Sequence, residues 1–133
     1  MTLLDTNALY WYLYSPQPLG KAALNLIEGA PVLAFSSASV FELVLTSQKI
    51  GKNGKPLISL QEGFAMMAIA AGMHEISVRA EHSLAAKHFL NFESGDPIDR
   101  MILAQAIHEK ALLITSDEKM LALGHDWIID AQV

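Results

Sequence analysis

Five short strand-like runs, residues 2–4, 32–35, 74–78, 111–114 and 127–129, all but the third mainly apolar, recur along the chain with helix-like segments between them. Runs this short, each followed by a helix rather than a tight turn, cannot pair as successive hairpins. The pattern therefore predicts an α/β fold: a short, mainly parallel five-stranded sheet with helices on both faces, a three-layer sandwich. Helices are predicted over 7–13, ended near Pro16 and Pro18, and over 20–28, where Ala23, Leu24 and Ile27 keep helical spacing. Another opens at Ser37, with a polar stripe of Ser39, Glu42, Thr46 and Lys49 opposite the apolar Val40, Phe41, Val44 and Leu45. Residues 51–56 read as a loop, and 60–72 and 80–90 as helices, with a further loop over 91–95. Asp96 suits an N-cap and Pro97 a first helical position, so a helix is predicted from there to about Lys110. A last short helix is predicted over 117–123. No repeat, low-complexity tract or linker interrupts the pattern, which predicts one domain over residues 1–133.

Five acids, Asp5, Glu42, Asp96, Asp99 and Asp117, stand where a predicted strand runs out or a helix begins. In open parallel sheets the ligand site lies beyond the carboxyl ends of the strands, at the point where strand order reverses. Carboxylates this far apart in sequence would meet there only through the fold. Two of them about 4 Å apart repel by roughly 4 kcal/mol at an effective dielectric of about 20. A cluster would therefore take up protons or hold a cation. Oxygen-only ligands favour a hard ion, Mg²⁺ or Mn²⁺, which points to metal-assisted phosphoryl chemistry. Each acid also has a structural reading. Asp96 and Asp99 fit the N-cap and third position of a helix, Asp5 and Asp117 can cap the helices after them, and Glu42 can be solvated on its stripe. Capping does not require all of them to share one sheet edge, but it suffices for Asp96, which is ranked as supporting the site rather than forming it.

The remaining composition narrows the classes. With no cysteine among 133 residues, disulfides, thiolate metal sites and a thiol nucleophile are excluded. The first residues, MTLLDT, lack the basic start of a signal peptide. The longest apolar run, 64–73, is about half of the ~20 residues that span a bilayer. A cytoplasmic protein without a membrane segment is expected. The net charge of −5 is unusual for a protein that binds nucleic acid, yet setting aside the five acids leaves nine acids against nine Lys and Arg. The five histidines (74, 82, 88, 108, 125) show no zinc-hydrolase spacing and are read as surface or packing residues. No glycine-rich phosphate loop or serine nucleophile elbow is present. GKNGKP carries Lys52 and Lys55 and lies close to Lys49; a solvated loop is the default reading of this group and an RNA-backbone contact the alternative.

Together the motifs LLDTNALYW, SSASVFELV, AEHSLAAKHF with GDPIDRMILAQAI, and LITSDEKM resemble the PIN-domain ribonucleases, and within them the VapC-like toxins of bacterial type II toxin–antitoxin pairs. The resemblance covers nearly the whole chain in order. It implies that Asp5, Glu42, Asp99 and Asp117 are the catalytic, metal-binding quartet for one or two Mg²⁺ or Mn²⁺ ions, and that the substrate is RNA. Thr6, Asn7, Ser39, Asp96 and Thr115 are then expected to orient carboxylates or substrate. It also implies a cognate antitoxin, docking near Leu9, Tyr10 and Trp11, and a homodimer. Asn7, Phe41, Thr46 and Ser94-Gly95 depart from residues common in the family, and three of these departures remove basic side chains. Two rivals stand beside this reading. One is a PIN-like domain that binds RNA or a partner without catalysis. The other is a phosphoacceptor signalling domain, which would need a second acid after the first strand and a lysine after the last; neither is present.

Overall fold

The structure is a computed structural model that describes residues 1–93 and 96–133. Its strands are β1 (Thr2–Leu4), β2 (Leu33–Ser36), β3 (His74–Ile76), β4 (Leu112–Thr115) and β5 (Ile128–Asp130). They form one sheet in the order β3-β2-β1-β4-β5, and all four pairings are parallel. The chain builds outward from β1 through β2 to β3, then returns to the other side of β1 to lay down β4 and β5. Strand order thus reverses between β1 and β4.

Register and pleat divide the core in two. Leu3 pairs with Ala34 and Leu113, and these three face the layer that supplies Phe89, Ile102, Leu103, Ala106 and Met120. Leu4 pairs with Phe35 and Ile114, which face the opposite layer of Ala8, Leu9, Ala23, Ile27, Leu43, Phe64 and Ala68. The first layer holds α6 (Pro97–Glu109), α7 (Glu118–Leu121) and a 3₁₀ turn over Ala86–Phe89, preceded by α5 (Ala80–Ala85); the second holds α1 (Thr6–Tyr14), α2 (Lys21–Glu28), α3 (Ser37–Ser47) and α4 (Phe64–Ala70). Successive side chains of a strand point to opposite faces, so a strand buried on both sides reads as an unbroken apolar run. Each fully buried Leu or Ile contributes about 1.5–3 kcal/mol relative to exposure.

Several elements depart from the sequence expectation. The predicted helix over 60–72 begins only at Phe64, because Gly63 adopts a left-handed φ of 81° that no helix continues through. The predicted helix over 80–90 tightens into the 3₁₀ turn after Ala85. β3 stops at Ile76 rather than Val78, whose N–H leaves the sheet to donate to Ser37 Oγ at 3.2 Å. Residues 51–56 form the expected loop, drawn into a small hairpin by an isolated antiparallel bridge between Ile50 and Pro56. Leu9, proposed from sequence as part of an exposed docking face, is fully buried, and Tyr10 and Trp11 pack partly against the same core. The part of the predicted 91–95 loop that comprises Ser94 and Gly95 lies outside the described residues. Among those described, no helix is long and apolar enough to cross a membrane.

Candidate active site

β1 ends at Leu4, and the next residue, Asp5, is the N-cap of α1, its Oδ1 accepting from the Ala8 N–H at 2.9 Å. This is a capping role, as the sequence allowed, but the carboxylate is also turned into the reversal point and is only 6% exposed. Its Oδ2 accepts a short hydrogen bond from the hydroxyl of Thr115, the fully buried last residue of β4. The Thr115 oxygen in turn accepts from the Asp117 N–H at 3.0 Å. Asp117 caps α7 through Met120 N–H at 2.8 Å. One threonine therefore ties the ends of the two central strands together and sets two carboxylates in relation to each other.

The other half of the site is built from α3 and α6. Ser36 caps α3 by accepting from Ala38 N–H at 3.0 Å, and Glu42 lies in the second turn. Asp96 caps α6, accepting from Ile98 N–H at 2.9 Å, and Asp99 follows one turn later. Oxygens of Glu42, Asp96 and Asp99 all lie within 4.8 Å of one another. Thr6 and Ser39, both buried, hydrogen-bond through their hydroxyls at 3.2 Å, and Thr6 also hydrogen-bonds the Glu42 carboxyl. Asn7 is exposed and donates to Ser116 Oγ at 3.4 Å, linking the start of α1 to the loop before Asp117.

Electrostatics joins the halves. Burial, reinforced by the charges of Asp99 and Asp117 and opposed by the bonds from Thr115 and Ala8, pushes the Asp5 carboxyl up to about 6. Burial also pushes Glu42 up to about 7, with Thr6 opposing and the Asp96 carboxyl and the Asp99 charge adding to the rise. The Asp99 charge acts on both Asp5 and Glu42 and so links the two halves. The charges of Asp99 and Asp117 reach Asp5 and that of Asp99 reaches Glu42, while the group whose oxygens lie within 4.8 Å of one another is Glu42, Asp96 and Asp99 and does not include Asp5 or Asp117. Asp96 comes closer than its capping role alone required, and its spacing of three from Asp99 was the available signal, since such residues share a helix face.

The donor set fits a hard divalent cation: it consists of carboxylates, and a cation would offset both the burial that leads the rise of Asp5 and Glu42 and the neighbouring charges that add to it. A second group with ligating atoms within 4.8 Å, His82, His108 and Glu109, lies at the far end of α6, about 15 Å along the helix from Asp99. Its geometry is accounted for structurally. His82 is fully buried, its Nδ1 accepts from Arg79 N–H at 3.1 Å, and Nε2–H donates to Glu109 Oε1 at 3.0 Å. That bond leads the causes holding the Glu109 carboxyl below its usual range. Arg100, within the same motif as Asp99, was not singled out from sequence. Its guanidinium group donates to Phe89 O at 3.1 Å and Phe92 O at 3.0 Å, fixing the segment that leads toward the site.

A parallel sheet with carboxylates gathered at its strand-order reversal defines an α/β domain with an acidic site at the sheet's carboxyl edge. The chain belongs to the PIN domain family, which it matches over residues 2–125. It is 31% identical over 124 residues to the ribonuclease VapC22 of Mycobacterium tuberculosis (strain ATCC 25618 / H37Rv), an alignment covering 92% of each chain. Among solved structures it is similar to a toxin–antitoxin complex from Klebsiella pneumoniae, with a TM-score of 0.67 and 21% identity over 98% of both chains. It is also similar to VapBC2 from Rickettsia felis bound to a DNA fragment from its promoter, with a TM-score of 0.63 and 18% identity over 96% of this chain and 95% of that one. FitAcB from Neisseria gonorrhoeae gives a TM-score of 0.60 and 18% identity over 93% and 94%.

Proposed function

We propose that this chain is a metal-dependent endoribonuclease, the toxin of a bacterial type II toxin–antitoxin pair. The observation that carries the reading is the convergence of Asp5, Glu42, Asp96, Asp99 and Asp117 on one sheet edge, with Asp5 and Glu42 raised toward neutrality. Membership of the PIN family and the likeness to a protein named a ribonuclease support the substrate class. Asp5, Glu42, Asp99 and Asp117 would hold one or two Mg²⁺ or Mn²⁺ ions, with Asp5 and Asp99 central. Bound there, the metal supplies Lewis acidity that makes water a nucleophile near neutral pH and offsets charge on the phosphate oxygens. Thr115 fixes the Asp5 carboxylate, so the ligand is oriented before the ion arrives. Thr6 and Ser39 do the same for Glu42. In the overall hydrolysis a water oxygen bonds to phosphorus, the bond from phosphorus to the leaving ribose oxygen breaks, and that oxygen takes up a proton.

Two of the structural relatives are toxin–antitoxin or VapBC assemblies by name, and an antitoxin partner follows for this chain. An arginine or lysine presented by that partner would meet the carboxylate cluster in charge-assisted hydrogen bonds and displace metal and RNA. A cytoplasmic homodimer completes the proposal. Expression in a bacterial host tests it. The wild-type chain should arrest growth, Asp99→Asn should not, and co-expression of the small protein encoded beside it should restore growth. A wild-type chain that is harmless at high expression would overturn the toxin assignment.

A further inference from the structure

The structure points to a second part of the RNA site, and the inference rests on the ribonuclease reading above. We infer that the hairpin after α3, carrying Lys49, Lys52 and Lys55, is a phosphate-binding arm that holds the RNA strand to one side of the acidic site.

Three observations converge. The first is charge distribution. The chain has seven lysines and two arginines, three of the lysines fall within residues 49–55, and no acid occurs from residue 43 to residue 61. Both arginines, whose planar group best suits phosphate, are engaged elsewhere: Arg79 with Glu81 and Glu109, Arg100 with the carbonyls of Phe89 and Phe92. Phosphate recognition outside the acidic site therefore falls to lysine, and only here are lysines grouped.

The second is order. Leu57 N–H donates to Lys49 O at 3.0 Å, Gly51 N–H to Lys55 O at 2.7 Å, and Gly54 N–H to Gly51 O at 3.0 Å. Asn53 Oδ1 accepts from Lys55 N–H at 3.0 Å, and Gly54 supplies the positive φ of 75° that the tip requires. All three lysines are exposed on this hydrogen-bonded frame. A preformed frame lowers the ordering cost of gripping a flexible strand.

The third is placement. Ser39, Glu42, Thr46 and Lys49 continue one stripe along α3 and its final turn, and Lys49 N–H bonds Thr46 O at 3.1 Å. From Glu42, beside Asp96 and Asp99, α3 runs five residues to its end at Ser47, about 7.5 Å of helix rise, and Lys49 follows two residues later. A strand bound across the acidic site would therefore carry its backbone to the arm within a few nucleotides. Lysine ammonium groups read the backbone and not the bases, so the arm adds affinity and register without choosing sequence.

Ile50 and Leu57 are also exposed on the hairpin, 64% and 55%, and a protein partner is the competing occupant. The test compares Lys49→Ala/Lys52→Ala/Lys55→Ala with its parent, binding fluorescein-labelled single-stranded RNA in an Asp99→Asn background. Single-strand binding loses about 0.7 in the slope of log K against log salt per phosphate contact, so the triple variant's slope should be shallower by about 2. The parent's advantage should accordingly shrink about 20-fold between about 50 and 200 mM salt. With Asp99 intact, the triple variant should raise KM and leave kcat near the parent value. An unchanged salt slope overturns the inference, as does a triple variant whose only defect is failure to copurify with the antitoxin. A parent that neither binds nor cuts RNA overturns the ribonuclease reading and the arm together, whereas a parent that cuts RNA equally well without the lysines sinks the arm alone.

Discussion

Asp5 illustrates how one residue serves fold and chemistry at once: its Oδ1 caps α1 while its Oδ2 is held by Thr115 at the sheet edge. With its carboxyl at about 6 and that of Glu42 at about 7, both bind protons more tightly in the folded chain than in the unfolded one. The stability linked to that proton uptake is present at low pH and is lost as pH rises through the folded values. In EDTA, the melting temperature should therefore fall between about pH 4 and pH 7 more steeply for the wild type than for Asp5→Asn, with calorimetry as the readout. A wild-type slope no steeper than the variant's would show that burial at the sheet edge does not raise the Asp5 carboxyl. Asp5→Asn and Asp99→Asn should each abolish RNA cleavage while the protein stays folded by circular dichroism. Asp96→Asn should be milder, because asparagine keeps the cap. Its activity should recover at raised Mn²⁺, whereas that of Asp99→Asn should not. The five acids were legible from their places near strand ends and early helical turns, whereas singling out Asp5, Glu42, Asp99 and Asp117 came from the family resemblance. Asp96 carried less weight, because a cap role explains that residue completely until Glu42 on another helix is seen beside it.

At the scale of elements, the strand ends of β1 and β4 are coupled by a single hydroxyl. Thr115→Val removes a donor to Asp5 and an acceptor for Asp117 N–H from a fully buried position, and should destabilise the protein by about 1–3 kcal/mol. Thr115→Ser restores both bonds and should recover most of the cleavage rate, which a loss of packing alone would not produce. The start of α6 was legible because Asp96-Pro97 carries its own capping chemistry. The start of α4 was not: Leu60 keeps an apolar character that suits a helix, yet it packs on the core from a loop, and the break depends on the left-handed Gly63. Gly63→Ala meets no steric obstacle within 4 Å but must hold a φ of 81°, so it should lower stability by about 1 kcal/mol in urea denaturation. The end of α5 was equally hidden, because the switch to 3₁₀ at Ala86 is a matter of packing between this segment and α6 rather than of composition.

For the molecule as a whole, the parallel sheet was legible from its five strand-like runs, and the reversal of strand order between β1 and β4 is what turns scattered acids into a site. The net charge of −5 describes the average and conceals a sharp division between the acidic edge and the lysine hairpin. A cation bound at that edge favours the native state alone, so millimolar Mn²⁺ should raise the melting temperature of the wild type and leave that of Asp99→Asn nearly unchanged. The central claim is metal-dependent cleavage of RNA, and the most direct test is incubation of the purified chain with end-labelled single-stranded RNA. The account predicts internal cuts with Mg²⁺ or Mn²⁺, none in EDTA, and none from Asp5→Asn in either metal. Cleavage that persists in EDTA, or that Asp5→Asn performs as well as the wild type, would contradict it.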